Sequence, residues 1–392
     1  MFDRKTNLMT RRLASIETFR VPAIFSVILW HTGLVNTLSQ LEGKNLPLEL
    51  TGHLIWWVGV PYFLITAGFY FRQSVLATGN PVAQLRRYGC PLTWMFLAWT
   101  CIYIVTPPNW PVEVFQHGLW QPFYAEALKN LHILADQNIS LFLEGNRPFG
   151  PLWFLPALMF SLVTLTLMAV YRLERYLIPL IISIYVGGLA QETFGGYFVN
   201  TTIHPGLWMT ATLLTAIGWW LAGRDPLSTA LACSLIVGGY ALVLIEGTVM
   251  DAVFHSSRET IHHHHFLGAI LLSMGIFTLA IAEPTLGEST PFPFLAQFTL
   301  GVYLSHIFVL YTVRGPVNFL IGIPLRGVIL AVEVYIFSVL FTFVLARIPI
   351  LKYLVVKPAG RHQEKLQRTS LTDKSLSEHS GSPIRPTPRN AP

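Results

Sequence analysis

The chain is short of charge. Only 12% of its 392 residues are Asp, Glu, Lys or Arg, against 53% hydrophobic, and the mean hydropathy is +0.52. A soluble globular protein of this length needs a charged surface that so few ionisable residues cannot supply, so the class is a polytopic integral membrane protein. Cysteine is scarce as well. Cys90, Cys101 and Cys233 lie in or beside apolar stretches without metal-like spacing, so neither a disulfide framework nor a thiolate metal site follows, and the redox compartment stays open. No small-residue cleavage site follows the basic stretch Met1 to Arg12, which reads as a retained cytoplasmic tail and not as a signal peptide. Internal repeats are lacking, as are the paired broken spans that mark many secondary transporters. No phosphate-cradling glycine loop and no Ser-His-Asp ordering stands out. The net charge of +6 and pI near 9.2 come from basic residues dispersed at span ends and in the tail, a pattern of membrane orientation and not of nucleic-acid binding.

What the chain does have is long apolar runs. A span needs roughly 20 apolar residues, and that length picks out ten stretches: 19–38, 53–71, 90–106, 151–171, 176–190, 206–223, 229–246, 266–282, 294–313 and 327–347. The expected fold is therefore all-α, with about ten transmembrane helices. The fifth stretch is short and contains Pro179. With the N-terminus inside, the outer loops hold Lys44, Lys129, Arg147, Arg258, Arg314 and Arg326, while the rest of the 26 Lys and Arg fall inside, Arg20 at the membrane edge excepted. This asymmetry places both termini in the cytoplasm of a multi-pass cell-membrane protein. The organisation predicted is an N-terminal tail over 1–14, a transmembrane domain over 15–347 and a polar C-terminal tail over 348–392, disordered from about Gly360. Within the outer loop 107–150, Leu128, Leu131, Ala135, Ile139 and Phe142 recur at helical spacing with Glu126, Lys129 and Asp136 between them, which predicts an amphipathic helix on the outer surface.

The stretch Ser15 to Leu38 carries two ionisable residues, Arg20 at its entry and His31 in its body. Such residues inside a span are costly and are kept where they pair, line water or do chemistry. Eleven residues is about three turns, so both project from one helix stripe roughly 16 Å apart. Arg20 has two plainer readings: it snorkels to the interface, or it pairs with Glu17 one turn earlier. His31 has the alternative of a structural histidine bonded to a neighbouring span.

The string SIETFR, followed by ten residues and then His31, resembles the entry helix of the acyltransferase family 3 membrane proteins, which carry an Arg, ten residues, then His. Gly59 to Phe71, GVPYFLITAGFYF, resembles the family's second span; Arg86, Arg87 and Pro91 its third-span entry; Gly150 to Leu155, GPLWFL, the start of its fourth; and Gly301 to His306, GVYLSH, its late Tyr-Leu-x-His element. The pattern departs at Ala67, where the family usually has Ser, at Leu64 in place of an aromatic, and at Glu17 in place of Asp.

The resemblance implies transfer of an acyl group, usually acetyl or succinyl, from cytoplasmic acyl-coenzyme A to a hydroxyl of a surface polysaccharide or lipid-linked glycan. No permanently bound cofactor and no metal are implied. A sugar hydroxyl is a weak nucleophile, and a histidine with an unperturbed pKa near 6.5 suits its activation. His31 and Arg20 are then the expected catalytic residues, His31 as the base and Arg20 holding a donor phosphate or the pantetheine arm or helping to fix the polar stripe. Glu17, Arg72, Arg86, Arg87, Trp153, Tyr303 and His306 complete the expected substrate and donor site. For the three arginines, ordinary topology signalling is the competing reading; for Trp153 and Tyr303 it is aromatic-belt packing. The rival function is a membrane transporter or glycan exporter, in which Arg20 and His31 bind or couple protons; a scaffold or sensor is a third. The run His262 to His265 is read as an interfacial entry to a span, since consecutive imidazoles cannot converge on one ion. Asn138-Ile-Ser140 and Asn200-Thr-Thr202 match the glycosylation sequon. Oligomeric state is not encoded in any recognisable pattern.

Overall fold

The computed structural model describes residues 13–33, 46–136, 150–192, 207–254, 266–317 and 326–355, all within the unit Met1–Val356. The expectations for Met1 to Arg12, Leu34 to Leu38, Ile139, Phe142, the two sequons, His262 to His265 and the chain beyond Val355 concern residues outside these. Among the described residues there are α-helices and short 3-10 turns and no strand. The helices are α1 Ala14–His31, α2 Leu46–Thr78, α3 Pro81–Val105, α4 Trp110–His117, α5 Gln121–Asp136, α6 Phe154–Val170, α7 Leu177–Glu192, α8 Leu207–Ala222, α9 Thr229–Phe254, α10 Leu267–Ala282, α11 Thr299–Val317 and α12 Arg326–Arg347.

The protein is an all-α membrane protein. Pro81–Val105, Thr229–Val249, Phe292–Arg314 and Arg326–Arg347 are long and apolar enough to cross a bilayer, and Phe154–Val170, Trp208–Ala222 and Leu267–Ala282 are shorter apolar helices. Leu167, Val186, Val237, Ile245, Phe337 and Val344 point outward from α6, α7, α9 and α12, a girdle that a soluble fold would bury. Pro179 does not disturb α7, because it falls in the first turn, where its missing N–H has no helical partner to lose.

The first helix ends within its apolar run. α1 stops at His31: Thr32 N–H bonds Ile28 O, Gly33 N–H bonds Trp30 O, and Gly33 takes φ 76°, the left-handed turn that closes a helix. His31 is thus the last residue of α1.

Small residues set the helix contacts. Tyr62 OH donates to Ile16 O at 2.9 Å, and a Cβ on Gly59 would collide with Ser26 Oγ and stand 2.5 Å from Ala23 O, so α1 and α2 pack antiparallel at close range. α2 crosses α8 equally closely, where Gly68 and Gly218 face the carbonyls of Thr215 and Ile65. α9 packs on α10, α6 on α3 and α8, and α11 on α12 and α1. Several buried hydroxyls in these apolar helices are satisfied locally: Thr66, Ser161, Thr215, Ser273 and Ser305 each donate to the carbonyl four residues back. Ile16, Ile24, Ile28, Leu64, Ile65 and Trp99 lie in the core that results.

The loop after α3 holds two helices in place of the one expected. α5 docks through Asn130, whose Nδ2 donates to Ile104 O at 2.8 Å. The predicted stripe members Leu128, Leu131 and Ala135 lie on its exposed face.

Candidate active site

α1 and α11 run in the same direction, in contact at both ends of a polar seam. At one end, Arg20 Nη1 donates to Glu17 Oε2 at 2.7 Å and Nη2 to Thr299 Oγ1 at 2.8 Å. The planar guanidinium fork is what lets one side chain bridge a carboxylate on its own helix and a hydroxyl on the next. Thr299 Oγ1 in turn donates to Ala296 O at 2.8 Å, so the hydroxyl is used both ways. Glu17 is 7% exposed, and the pairing with Arg20 one turn on is the structural reading of that arginine.

At the other end, the ring of His31 stands 5.2 Å from the ring of His306, centroid to centroid, tilted by 47°. The two differ in environment. His31, at the end of α1, is exposed, whereas His306, mid-α11, is completely buried. His306 Nδ1 lies 2.6 Å from Tyr303 O. A carbonyl only accepts, so Nδ1 carries the hydrogen, and in the neutral ring Nε2 is left as a bare acceptor. Nε2 is buried and has no partner among the described residues. Leaving a buried polar atom unsatisfied costs about 1–3 kcal/mol, which makes it the most conspicuous polar group of the seam.

Aromatic rings wall this end. Tyr303 stacks at a tilt between His306, at 5.8 Å, and Phe154, at 5.2 Å. Trp153, in the 3-10 turn Gly150–Trp153, meets Phe154 edge-on at 6.5 Å and is half-buried. Tyr103, from α3, donates to Leu304 O at 2.6 Å. His31, Tyr303, His306 and Trp153 are therefore brought to one neighbourhood, with Phe154 between the last two stretches. Sequence reasoning passed over Thr299 and Tyr103, and held Phe154 only as part of GPLWFL. Thr299 was visible two residues before GVYLSH; the others are ordinary members of apolar helices until the chain folds.

The remaining arginines stand apart. α2 continues ten residues past Tyr62 to Arg72, roughly 15 Å further along the axis and away from His31. Arg72 lies over the Trp219 ring at 5.1 Å, against Gly223, where a Cβ would come within 3.0 Å of its Nε. Its Nε is buried without a partner among the described residues. Arg86 and Arg87 are exposed on the first turns of α3. Three depths result, with histidines at one end, the Glu17–Arg20–Thr299 set in the middle and the arginines of α2 and α3 at the far end.

A family model described as an acyltransferase domain matches residues 13–347. The chain belongs to acyltransferase family 3. Neither a curated protein nor a solved structure matches it. The match spans both helices of the polar seam and every residue singled out above. The seam presents an exposed imidazole beside a buried acceptor nitrogen, and a guanidinium about three turns away on the same helix. Among the described residues no cluster of His, Cys, Asp or Glu has the geometry of a metal site.

Proposed function

We propose that this acyltransferase moves an acyl group, acetyl or succinyl, from acyl-coenzyme A to a hydroxyl of a surface polysaccharide or a lipid-linked glycan. The observation that carries the reading is the exposed His31 facing His306 on the family-matched pair α1 and α11. Both termini lie in the cytoplasm, and the donor enters from that side. Its phosphates meet Arg72, Arg86 and Arg87, and its pantetheine arm runs past Arg20 toward the histidines, a path of roughly two 15 Å steps along α2 and α1. The acceptor hydroxyl comes to His31 from the outer side, with Trp153 and Tyr303 as its aromatic wall.

The chemistry follows from the groups. His31 takes the hydroxyl proton as the oxygen attacks the thioester carbonyl; the C–O bond forms, the C–S bond breaks, and the proton passes from His31 to the departing thiolate. The products are an ester and free coenzyme A. General-base assistance of this kind contributes about 10²–10⁴-fold.

The test is release of free thiol from acyl-coenzyme A by purified protein in lipid, with a glycan extract present, for the wild type against His31→Ala. A fall of about 10²-fold or more, in a variant that stays folded, supports the role of the histidine. Unchanged release removes His31 from the mechanism. Absence of release from the wild type with acetyl- and succinyl-coenzyme A alike overturns this donor assignment.

A further inference from the structure

The buried nitrogen of His306 has a use that the reaction above does not assign. Tyr303 O fixes the hydrogen of His306 on Nδ1, so Nε2 in the neutral ring offers a lone pair and nothing else. The packing hides that lone pair from solvent, and no described group satisfies it. The nearest described ring that carries a nitrogen is His31, at 5.2 Å between centroids. Two imidazoles joined in plane by an N–H···N bond have centroids about 5 Å apart, given a donor–acceptor distance near 2.9 Å. The separation already suits the bond, and turning the rings out of their 47° tilt completes it.

We infer that His306 is the positioning residue for His31, accepting the N–H of His31 at its bare Nε2 and so leaving the other nitrogen of His31 free to take the acceptor proton. The inference rests on the acyl-transfer reading above. A ring nitrogen that donates to a fixed acceptor is held in one tautomer and one orientation. When His31 takes the proton from the hydroxyl it becomes an imidazolium, and the same N–H···N bond then stabilises its charge. The proton stays on His31, because moving it along the bond to Nε2 would place the imidazolium charge on the completely buried His306 ring. His31 returns to neutral when the proton leaves with the thiolate. In this arrangement His306 does the work that a carboxylate does for the histidine of a Ser-His-Asp triad, with a backbone carbonyl, Tyr303 O, fixing its tautomer.

The variants that test this separate shape from acceptor chemistry. His306→Gln keeps an acceptor oxygen near the position of Nε2, and His306→Phe keeps the ring volume without one. If the residue only packs, Phe serves at least as well as Gln. If it positions His31, kcat for thioester consumption falls roughly 10- to 100-fold in the Phe variant with little change in donor KM, and Gln recovers much of it. A second readout needs no turnover: carbethoxylation of His31 by diethylpyrocarbonate, located by peptide mass spectrometry in the substrate-free protein, is expected to slow several-fold in the Phe variant and not in the Gln variant. Gln above Phe in both readouts supports the inference, and Phe equal to or above Gln in either overturns it. Should the Phe variant not fold, His306→Leu takes its place. If the wild type consumes no thioester, the acyl-transfer reading fails on its own account while the carbethoxylation rates still decide whether His306 orients His31.

Discussion

The two ends of the α1–α11 seam contain the same kinds of polar group and treat them in opposite ways. At the Arg20 end the charged groups are paired: Arg20 donates to Glu17 and Thr299, and Thr299 passes its own hydrogen to Ala296 O. At the other end His306 is sealed in with a lone pair unused, and His31 lies open beside it. A satisfied buried network adds rigidity and registers two helices against each other. A buried group left unsatisfied is retained at a cost in stability. The seam is thus bridged by hydrogen bonds at one end and leaves a buried acceptor unpaired at the other.

Substitution at each end should separate these roles. The largest effect on stability is expected from Arg20→Ala, which strands the buried Glu17 carboxylate and removes the bridge to α11. A loss of about 3–5 kcal/mol, read as thermal unfolding in detergent or lipid, is the size expected for a broken buried pair. His31→Ala, at an exposed helix end, should change stability by less than about 0.5 kcal/mol while abolishing turnover. If Arg20→Ala is as stable as the wild type but inactive, the bridging reading is wrong and the arginine serves the donor alone. Next in size is Gly59→Ala. Its methyl group meets Ala23 O and Ser26 Oγ, pushes α1 from α2 and should cost about 1–3 kcal/mol by overpacking. Because the strain falls between Arg20 and His31, activity should fall more than stability. Equal losses would show that the two ends move as one body. The smallest effect is expected from Arg86→Gln and Arg87→Gln, which are exposed: stability within about 0.5 kcal/mol, and a donor KM raised a few-fold, more at low salt than at high salt. A KM that does not respond at any ionic strength would remove both from the donor path.

Much of the inner end was legible in the chain. Glu17 and Arg20 are three residues apart on a predicted helix, so their pairing needs no tertiary information. The end of α1 was legible too, in Thr32-Gly33, but the apolar Leu34 and Val35 beyond masked it, since hydropathy counts residues and is blind to a left-handed turn. Leu128, Leu131 and Ala135 share a helical spacing, but spacing does not say which face of α5 docks; Asn130 lies on the face that does, donating to Ile104 O.

The sequence by itself determined the class, the helical content, the family and the stripe that carries Arg20 and His31, because each rests on local composition and on periodicity within one segment. The meeting of His31 with His306, 275 residues on, and of Arg20 with Thr299, 279 residues on, belongs to the tertiary structure alone. Apolar helices exposed to lipid have no preferred partner through hydrophobicity. What chooses between them is how closely two backbones approach and which polar groups then find one another. That choice is made at Gly59, Gly68 and Gly218 and becomes visible only when the helices are packed.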